Sequence, residues 1–121
     1  MNTDRLDNLL ARFSDLTILV IGDFFLDKYL LIDRSRAELS LETGLEAHQV
    51  VEVRTSPGAA GTVTSNLRAM GVTVAAVGII GDDGEGFELL RGLDKTGVDV
   101  DGLIIRSDRF TPTYTKPLLQ V

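Results

Sequence analysis

Three short apolar runs, separated by segments with helical spacing, constrain the fold of this chain more than any other feature of its sequence. The runs lie near residues 17–22, 72–80 and 102–105 and are rich in valine and isoleucine. Runs of this kind are typical of parallel strands that are buried on both faces. They predict the core strands of a parallel sheet.

The intervening segments place apolar residues three and four positions apart. Residues 3–13 predict a helix whose start Thr3 can cap through its hydroxyl. Residues 62–70 predict a second helix that stops at Gly71, and a third ends near Gly97. In the second helix one face carries Val63, Asn66, Leu67 and Met70. Because strand and helix alternate, the chain is expected to form an α/β fold with a parallel sheet and right-handed crossovers.

Three other segments predict strands outside that sheet. Residues 28–33 are apolar but short, and 47–54 have the mixed pattern of a strand with one wetter face, so the two are expected to pair beside the core. Residues 112–121 predict one more extended strand. Residues 23–27 and the acidic stretch 38–46 are expected to be loops.

Composition excludes several classes of protein. The 121 residues carry a net charge of -6 with scattered basic residues, which argues against a nucleic-acid partner. No run approaches the roughly 18 apolar residues of a membrane helix, and the N-terminus lacks the pattern of a secretory signal. The chain has no cysteine, which excludes disulfides and thiolate metal sites and is compatible with the cytoplasm.

A pair of carboxylates follows the first predicted strand. Asp23 and Asp27 come just after it, at the carboxyl edge of the predicted sheet, where parallel sheets leave a crevice for ligands. A carboxylate there can accept hydrogen bonds from two hydroxyls of a sugar. The alternative is that Asp23 caps a turn and Asp27 is merely solvated.

Small residues at 56–61 predict a loop that runs into the second helix. The absence of bulky side chains lets backbone N–H groups approach a ligand, and the helix N-terminus favours oxygen-rich groups. The loop lacks the spacing of a dinucleotide site or a P-loop, and a plain tight turn is the alternative. Asp82 and Asp83 lack a third ligand, so helix capping explains them better than a metal site does.

The order and spacing of these motifs resemble the PfkB family of carbohydrate kinases, most closely the kinase domain of bifunctional heptose kinase/ADP-heptose synthases. The resemblance rests on LVIGDFFLDKY at 19–29, Ser35-Arg36 with SLE at 40–42, SPGAAGTVTSNLRAMG at 56–71, VGIIGDDG at 77–84 and GVDVDGL at 97–103. It implies a ribokinase-like α/β fold, with a partial parallel Rossmann-like sheet, flanking helices and a small β-sheet lid. The lid strands would be 28–33, 47–54 and 112–121, and in some family members such a lid dimerises.

The resemblance also assigns candidate site residues. Asp27 matches the family's carboxylate for sugar hydroxyls, and Gly58 with Ala59 matches the glycine loop that closes over the sugar. Thr62 borders the same site, whose substrate would be a sugar or sugar phosphate. Independently of the resemblance, Lys116 offers a cation on a predicted edge strand and is a further candidate for binding that substrate; the alternative is an ordinary surface strand. Asp27 and the Gly58 loop are expected to face one another across a crevice at the carboxyl edge of the sheet.

Two positions depart from the family pattern. The family loop usually reads Gly-Gly-Ala-x-Asn, but Ala59 replaces the second glycine and Thr62 stands in place of the asparagine. Threonine offers one hydroxyl on a shorter stem, whereas asparagine offers both an acceptor and a donor. Since sites of this kind discriminate strongly between hydroxyls, the identity of the sugar stays open.

The family's Gly-Ala-Gly-Asp motif, which supplies the catalytic base and stabilises the transferring phosphate, does not occur in residues 1–121. The resemblance therefore implies an N-terminal portion of a kinase domain, with ATP and Mg²⁺ bound outside this chain. No catalytic or metal-binding residue is assigned here, and the chain alone is expected to be inactive. A sheet cut in this way is expected to expose apolar surface and strand edges.

Two other interpretations remain. The chain could be a non-catalytic sugar-binding or regulatory module that keeps only the recognition part of the fold. A small receiver or nucleotide-binding domain also fits the alternation of strands and helices. That last interpretation is disfavoured, because the wetter strands near 28 and 50 interrupt the doubly wound order.

Overall fold

A computed structural model describes residues 2–120 and shows a mixed α/β arrangement. The helices are α1 (Thr3–Ala11), α2 (Ala60–Ala69) and α3 (Gly84–Lys95), with a short 3₁₀ turn at Phe13–Asp15. The strands are β1 (Thr17–Ile21), β2 (Phe24–Leu39), β3 (Glu46–Ala59), β4 (Thr73–Gly81), β5 (Asp99–Arg106) and β6 (Thr113–Leu119). None of the helices within 2–120 is long and apolar enough to cross a membrane.

The core sheet is parallel and has the strand order β1-β4-β5. Alternate residues of β4 point into the core, so Val74, Ala76 and Ile80 are buried while Thr73 and Ile79 are exposed. Leu89 and Leu93 of α3 are fully buried against them, and Leu67 of α2 packs on the same cluster. Both helices therefore cover one face of the sheet.

The opposite face of this sheet is open within the described residues, so the prediction that its strands are buried on both faces is wrong for this chain. Leu19 is 56% exposed and Ile21 73% exposed. The order β1-β4-β5 advances in one direction, and right-handed crossovers then place α2 and α3 on the same side. The expectation of exposed apolar surface matches this arrangement.

A second sheet, which we call the small sheet, has the order β3-β2-β6, with β3 antiparallel and β6 parallel to β2. Its long strands contradict two predicted loops. Residues 23–27 are not a loop, because β2 begins at Phe24. The predicted loop at 38–46 shrinks to residues 40–45, because Leu39 pairs with Glu46 across the ladder.

The small-residue segment 56–61 is also not a loop, since β3 continues to Ala59 and α2 follows directly. Phe25 pairs with Gly58 and Leu26 with Pro57 in the antiparallel ladder. Proline lacks an N–H donor and is tolerated in sheets at edge strands, which is the position of β3 in the small sheet. Tertiary pairing thus extends the strand through residues with turn propensity.

Two helices differ in detail from the sequence-based expectation. Asn2, not Thr3, caps α1, and its side-chain oxygen accepts the N–H of Arg5 at 2.8 Å. In α2 only part of the predicted apolar face packs on the core, because Leu67 does so but Val63 and Met70 are each 50% exposed. Thr64 is fully buried instead, and its hydroxyl is satisfied by donating to the carbonyl of Gly61 at 2.8 Å.

Candidate functional site

Asp27 and Gly58 are in contact on one face of the small sheet. Asp27 pairs with Ser56 and Phe25 with Gly58, which places the Asp27 side chain over the glycine. A Cβ atom on Gly58 would lie 3.1 Å from Cγ of Asp27 and would overlap its carboxylate oxygen. Only a residue without a side chain leaves room for the carboxylate at this place.

The position of this contact differs from the expected one. Asp27 lies within β2 rather than in a loop at the carboxyl edge of the core sheet. That edge has a separate open depression of about 400 Å³, lined by Asp23, Gly78, Ile104 and Arg109 among others. Asp23 lies between β1 and β2 and is joined to the start of α2, because its backbone carbonyl accepts the N–H of Ala60 at 2.9 Å.

Lys116 completes a polar cluster with Asp27. Strand β6 pairs with β2 so that Lys116 lies opposite Tyr29, and its Nζ is 3.0 Å from Oδ1 of Asp27. The same Nζ is 3.4 Å from the Tyr29 hydroxyl and 4.9 Å from the centre of its ring. The hydrogen bond to Asp27, then the one to Tyr29, raises the pKa of Lys116 above its ordinary value, so the cation is retained.

Aromatic side chains share this face, and the sequence reasoning did not identify them as part of the site. Phe25, Asp27 and Tyr29 alternate along β2, so they point to the same side of the sheet. The rings of Phe25 and Tyr114 are 5.5 Å apart. Period-two alternation through 25–29 was the available signal, but it is visible only once β2 is known to begin at Phe24.

An open depression of about 410 Å³ adjoins Tyr29 and is also lined by Leu31, Arg54, Ser56 and Leu118.

The other two predicted site residues, Ala59 and Thr62, lie where β3 passes into α2. Ala59 has φ 53° and ψ -118°, a positive-φ conformation in which a Cβ is strained. The structure shows no side-chain hydrogen bond capping α2. Thr62 is exposed in the first turn of α2, and its hydroxyl makes no hydrogen bond to residues 2–120. The structure therefore brings together Asp27, Gly58 and Lys116, with Ala59 adjoining, and leaves Thr62 at the nearby helix start.

Replacing Ala59 with glycine is expected to stabilise the protein by about 1 kcal/mol, because glycine adopts this backbone conformation without strain. Ala69→Gly is the matched control. It makes the same chemical change in the last turn of α2, where it is expected to cost up to about 1 kcal/mol. Urea unfolding of both variants measures the difference, and a destabilised Ala59→Gly variant would contradict the strain.

No group of three or more histidine, cysteine or acidic side chains within 2–120 is arranged to hold a metal ion. Asp83, considered in the sequence as a helix cap or a metal ligand, caps α3 by accepting the N–H of Gly86 at 2.7 Å. The acidic and basic groups of the site are the single pair of Asp27 and Lys116. Such a pair can bind and orient hydroxyl groups.

Comparisons with known proteins agree with this architecture. Among solved structures, a carbohydrate kinase from Agrobacterium tumefaciens has a TM-score of 0.64 at 24% identity, covering 86% of this chain and 32% of that one. An aminoimidazole riboside kinase from Salmonella enterica has a TM-score of 0.60 at 21% identity, covering 82% of this chain and 28% of that one. The fold is thus confirmed as that of ribokinase-like sugar kinases.

Curated relatives are similar over nearly the whole chain. The bifunctional protein HldE of Geobacter metallireducens is 35% identical over 117 residues, which are 96% of this chain and 23% of that protein. HldE of Syntrophotalea carbinolica is 34% identical over 118 residues, or 98% of this chain and 24% of that protein. The chain spans about a quarter of the length of these relatives. The family described as pfkB family carbohydrate kinase matches residues 18–118, and the chain therefore belongs to this family.

Proposed function

We propose that this chain forms the sugar-binding portion of an ATP-dependent kinase that phosphorylates a hydroxyl of a sugar or sugar phosphate. The observation that carries the proposal is the Asp27 carboxylate, which lies over Gly58 and is hydrogen-bonded to Lys116. Carboxylate and ammonium groups side by side offer both acceptors and donors to a polyol. Membership of the pfkB family supports the same substrate class.

In this proposal Asp27 accepts hydrogen bonds from the sugar. Oδ1 is partly occupied by Lys116 and Oδ2 lies toward Gly58, so each oxygen keeps a lone pair for a hydroxyl. Each such bond to a charged acceptor contributes about 1.5 to 3 kcal/mol. Thr62 and the uncapped N–H groups of α2 lie at the nearby helix start and bind further oxygens.

Aromatic rings next to Asp27 supply the apolar part of the site. The rings of Phe25, Tyr29 and Tyr114 lie beside the carboxylate, and the two tyrosines also offer hydroxyls. Rings of this kind pack against the C–H faces of a sugar while its hydroxyls reach the polar groups. The proposed site therefore recognises a sugar by one polar edge and one apolar face.

The transfer step is proposed for the whole kinase and not for this chain alone. ATP would supply the phosphoryl group, and Mg²⁺ would neutralise the charge that develops on it. Residues 2–120 contain no cluster of acidic, histidine or cysteine side chains that could hold the Mg²⁺ ion. The residues of this chain bind the acceptor and orient its hydroxyl. We expect the isolated 121 residues not to convert ATP to ADP in a sugar-dependent way, and turnover above trace rate would contradict this.

A cytoplasmic location and a homodimer through the small sheet are part of the same proposal. Strand β3 is at the edge of that sheet and exposes Val50, Val51 and Val53, each more than 40% accessible. Apolar edge strands of this kind pair readily with a second copy. Sedimentation that shows only monomers at high micromolar concentration would contradict the dimer.

Thermal unfolding in the presence of a panel of sugars and sugar phosphates tests the binding function. A ligand at a hundred times its Kd should stabilise the protein by about 2.7 kcal/mol. Asp27→Asn should lose this response, while Asp7→Asn, on the exposed helix α1, should retain it. If no compound stabilises the chain, or if Asp27→Asn responds like the wild type, the proposed site is wrong.

A further inference from the structure

The Asp83 carboxylate joins two parts of the chain that are far apart in sequence. Its Oδ1 accepts the N–H of Gly86 at 2.7 Å, which caps α3, and also the hydroxyl of Thr111 at 2.7 Å. Its Oδ2 accepts the backbone N–H of Thr111 at 2.8 Å. Thr111 is only 5% exposed although it lies in the segment between β5 and β6. We call this set of contacts the Asp83–Thr111 clasp.

The backbone at Gly81 and Gly86 approaches Thr111 closely. The N–H of Gly81 donates to the Thr111 hydroxyl at 2.9 Å, so this hydroxyl bridges the end of β4 and Asp83. A Cβ on Gly81 would lie 2.7 Å from the Thr111 nitrogen, and one on Gly86 would lie 2.9 Å from its hydroxyl oxygen. Two glycines are therefore required for Thr111 to fit at this place.

The clasp lies immediately before the strand that carries Lys116. After Thr111, the carbonyl of Pro112 accepts the N–H of Leu26 at 2.9 Å, and β6 then runs beside β2. Strand β6 is at the edge of the small sheet and pairs only with β2 among the described strands. A slip of one residue in that pairing would turn Lys116 to the other face of the sheet, away from Asp27.

We propose that Asp83 is a positioning residue, whose clasp on Thr111 fixes the register of β6 and so holds Lys116 against Asp27. The importance of Lys116 rests on the proposed function, but the placement of β6 does not. A role as a helix cap alone would not require the contacts to Thr111, since the bond to Gly86 is sufficient for capping.

The protonation state of Asp83 is consistent with this role. Burial acts to raise the pKa of Asp83, but the hydrogen bonds from the N–H and hydroxyl of Thr111 and from Gly86 outweigh it, and the pKa lies below its ordinary value. The carboxylate is therefore ionised at neutral pH, and both its oxygens act as acceptors.

Substitutions in the full chain separate the clasp from the cap. Asp83→Asn keeps one oxygen that can cap α3, because asparagine is as good an N-cap as aspartate. The NH₂ group that replaces Oδ2 is a donor only, so it cannot accept the N–H of Thr111. Thr111→Val removes the hydroxyl at nearly constant shape, whereas Thr111→Ser keeps the hydroxyl and removes only the methyl group. Thr96→Val is the matched control, since the hydroxyl of Thr96 donates to the carbonyl of Leu93 at the other end of α3.

Amide hydrogen exchange, measured without any ligand, tests the positioning. Asp83→Asn and Thr111→Val should speed exchange in β6 at least about tenfold, the factor expected for one lost charge-assisted hydrogen bond, while β1 and the core of β4 stay protected. Thr111→Ser and Thr96→Val should exchange like the wild type. Unchanged protection of β6, or an equal loss across β1, β4 and β6, would overturn the proposal.

Tyrosine circular dichroism provides a second readout at the site itself. The chain has 2 tyrosines and no tryptophan, and both Tyr29 and Tyr114 lie on the β2–β6 face. The near-UV tyrosine signal should therefore change in Asp83→Asn and Thr111→Val and return in Thr111→Ser. An unaltered signal in both variants would overturn the proposal, and neither readout depends on whether a sugar binds.

Discussion

Gly58→Ala is expected to weaken sugar binding strongly while most of the fold remains intact. The new Cβ would lie 3.1 Å from Cγ of Asp27 and overlap its carboxylate, so the Asp27 side chain must rotate away. That rotation also breaks the 3.0 Å bond to Lys116. The displaced Asp27 carboxylate would also lose the two hydrogen bonds that it is proposed to accept from sugar hydroxyls. Loss of two such bonds to a charged acceptor should weaken sugar binding on the order of a hundredfold or more.

The stability cost of the same substitution is smaller. Overpacking of this kind costs about 1 to 3 kcal/mol, because the neighbouring side chain can move. Gly84→Ala is the matched control, since a Cβ at Gly84 has no atom within 4 Å. Ligand-induced thermal shifts measured for both variants should show loss only in Gly58→Ala, and a retained shift there would place the sugar elsewhere.

Phe24→Ala should lower the free energy of unfolding by about 3 to 5 kcal/mol, the largest stability effect we expect from a single substitution. Phe24 is 1% exposed and lies where the chain passes from β1 of the core sheet into β2 of the small sheet. A Cβ on Gly78 of β4 would come within 2.9 Å of this ring, so the ring is packed directly on the strand. Alanine would leave a cavity at the junction of the two sheets.

Phe110→Ala is the control for that substitution, because Phe110 is 89% exposed. Its removal should change stability by no more than about 0.5 kcal/mol. Urea unfolding of the two variants gives the comparison directly. Equal effects would mean that Phe24 does not support the core as the structure shows.

The fold class and the family were predictable because both depend on local patterns in the sequence. Apolar runs such as 72–80 are long enough to specify a strand wherever they pack. Gly71 and Gly97 mark helix ends because both adopt positive φ, at 87° and 82°. The motifs at 19–29 and 56–71 carry the family resemblance, which the match over residues 18–118 confirms.

Helix faces were less predictable than helix bounds. The apolar stripe of α2 suggested that Val63 and Met70 point inward, but Thr64 occupies the buried position. Its hydroxyl bonds locally to Gly61, which removes the cost of burying a polar group. Periodicity counts apolar residues and cannot detect a polar residue that satisfies itself within the helix.

Sequence alone determined the alternation of strands and helices, the family, and Asp27, Gly58, Ala59, Thr62 and Lys116 as candidate site residues. Only the tertiary structure decided that Asp27, Gly58 and Lys116 meet, that Tyr29 joins them, and that Asp83 holds Thr111. The reason is physical. Lys116 reaches Asp27 across 89 residues through the register of β6 on β2, and register depends on pairing between distant strands rather than on any local spacing.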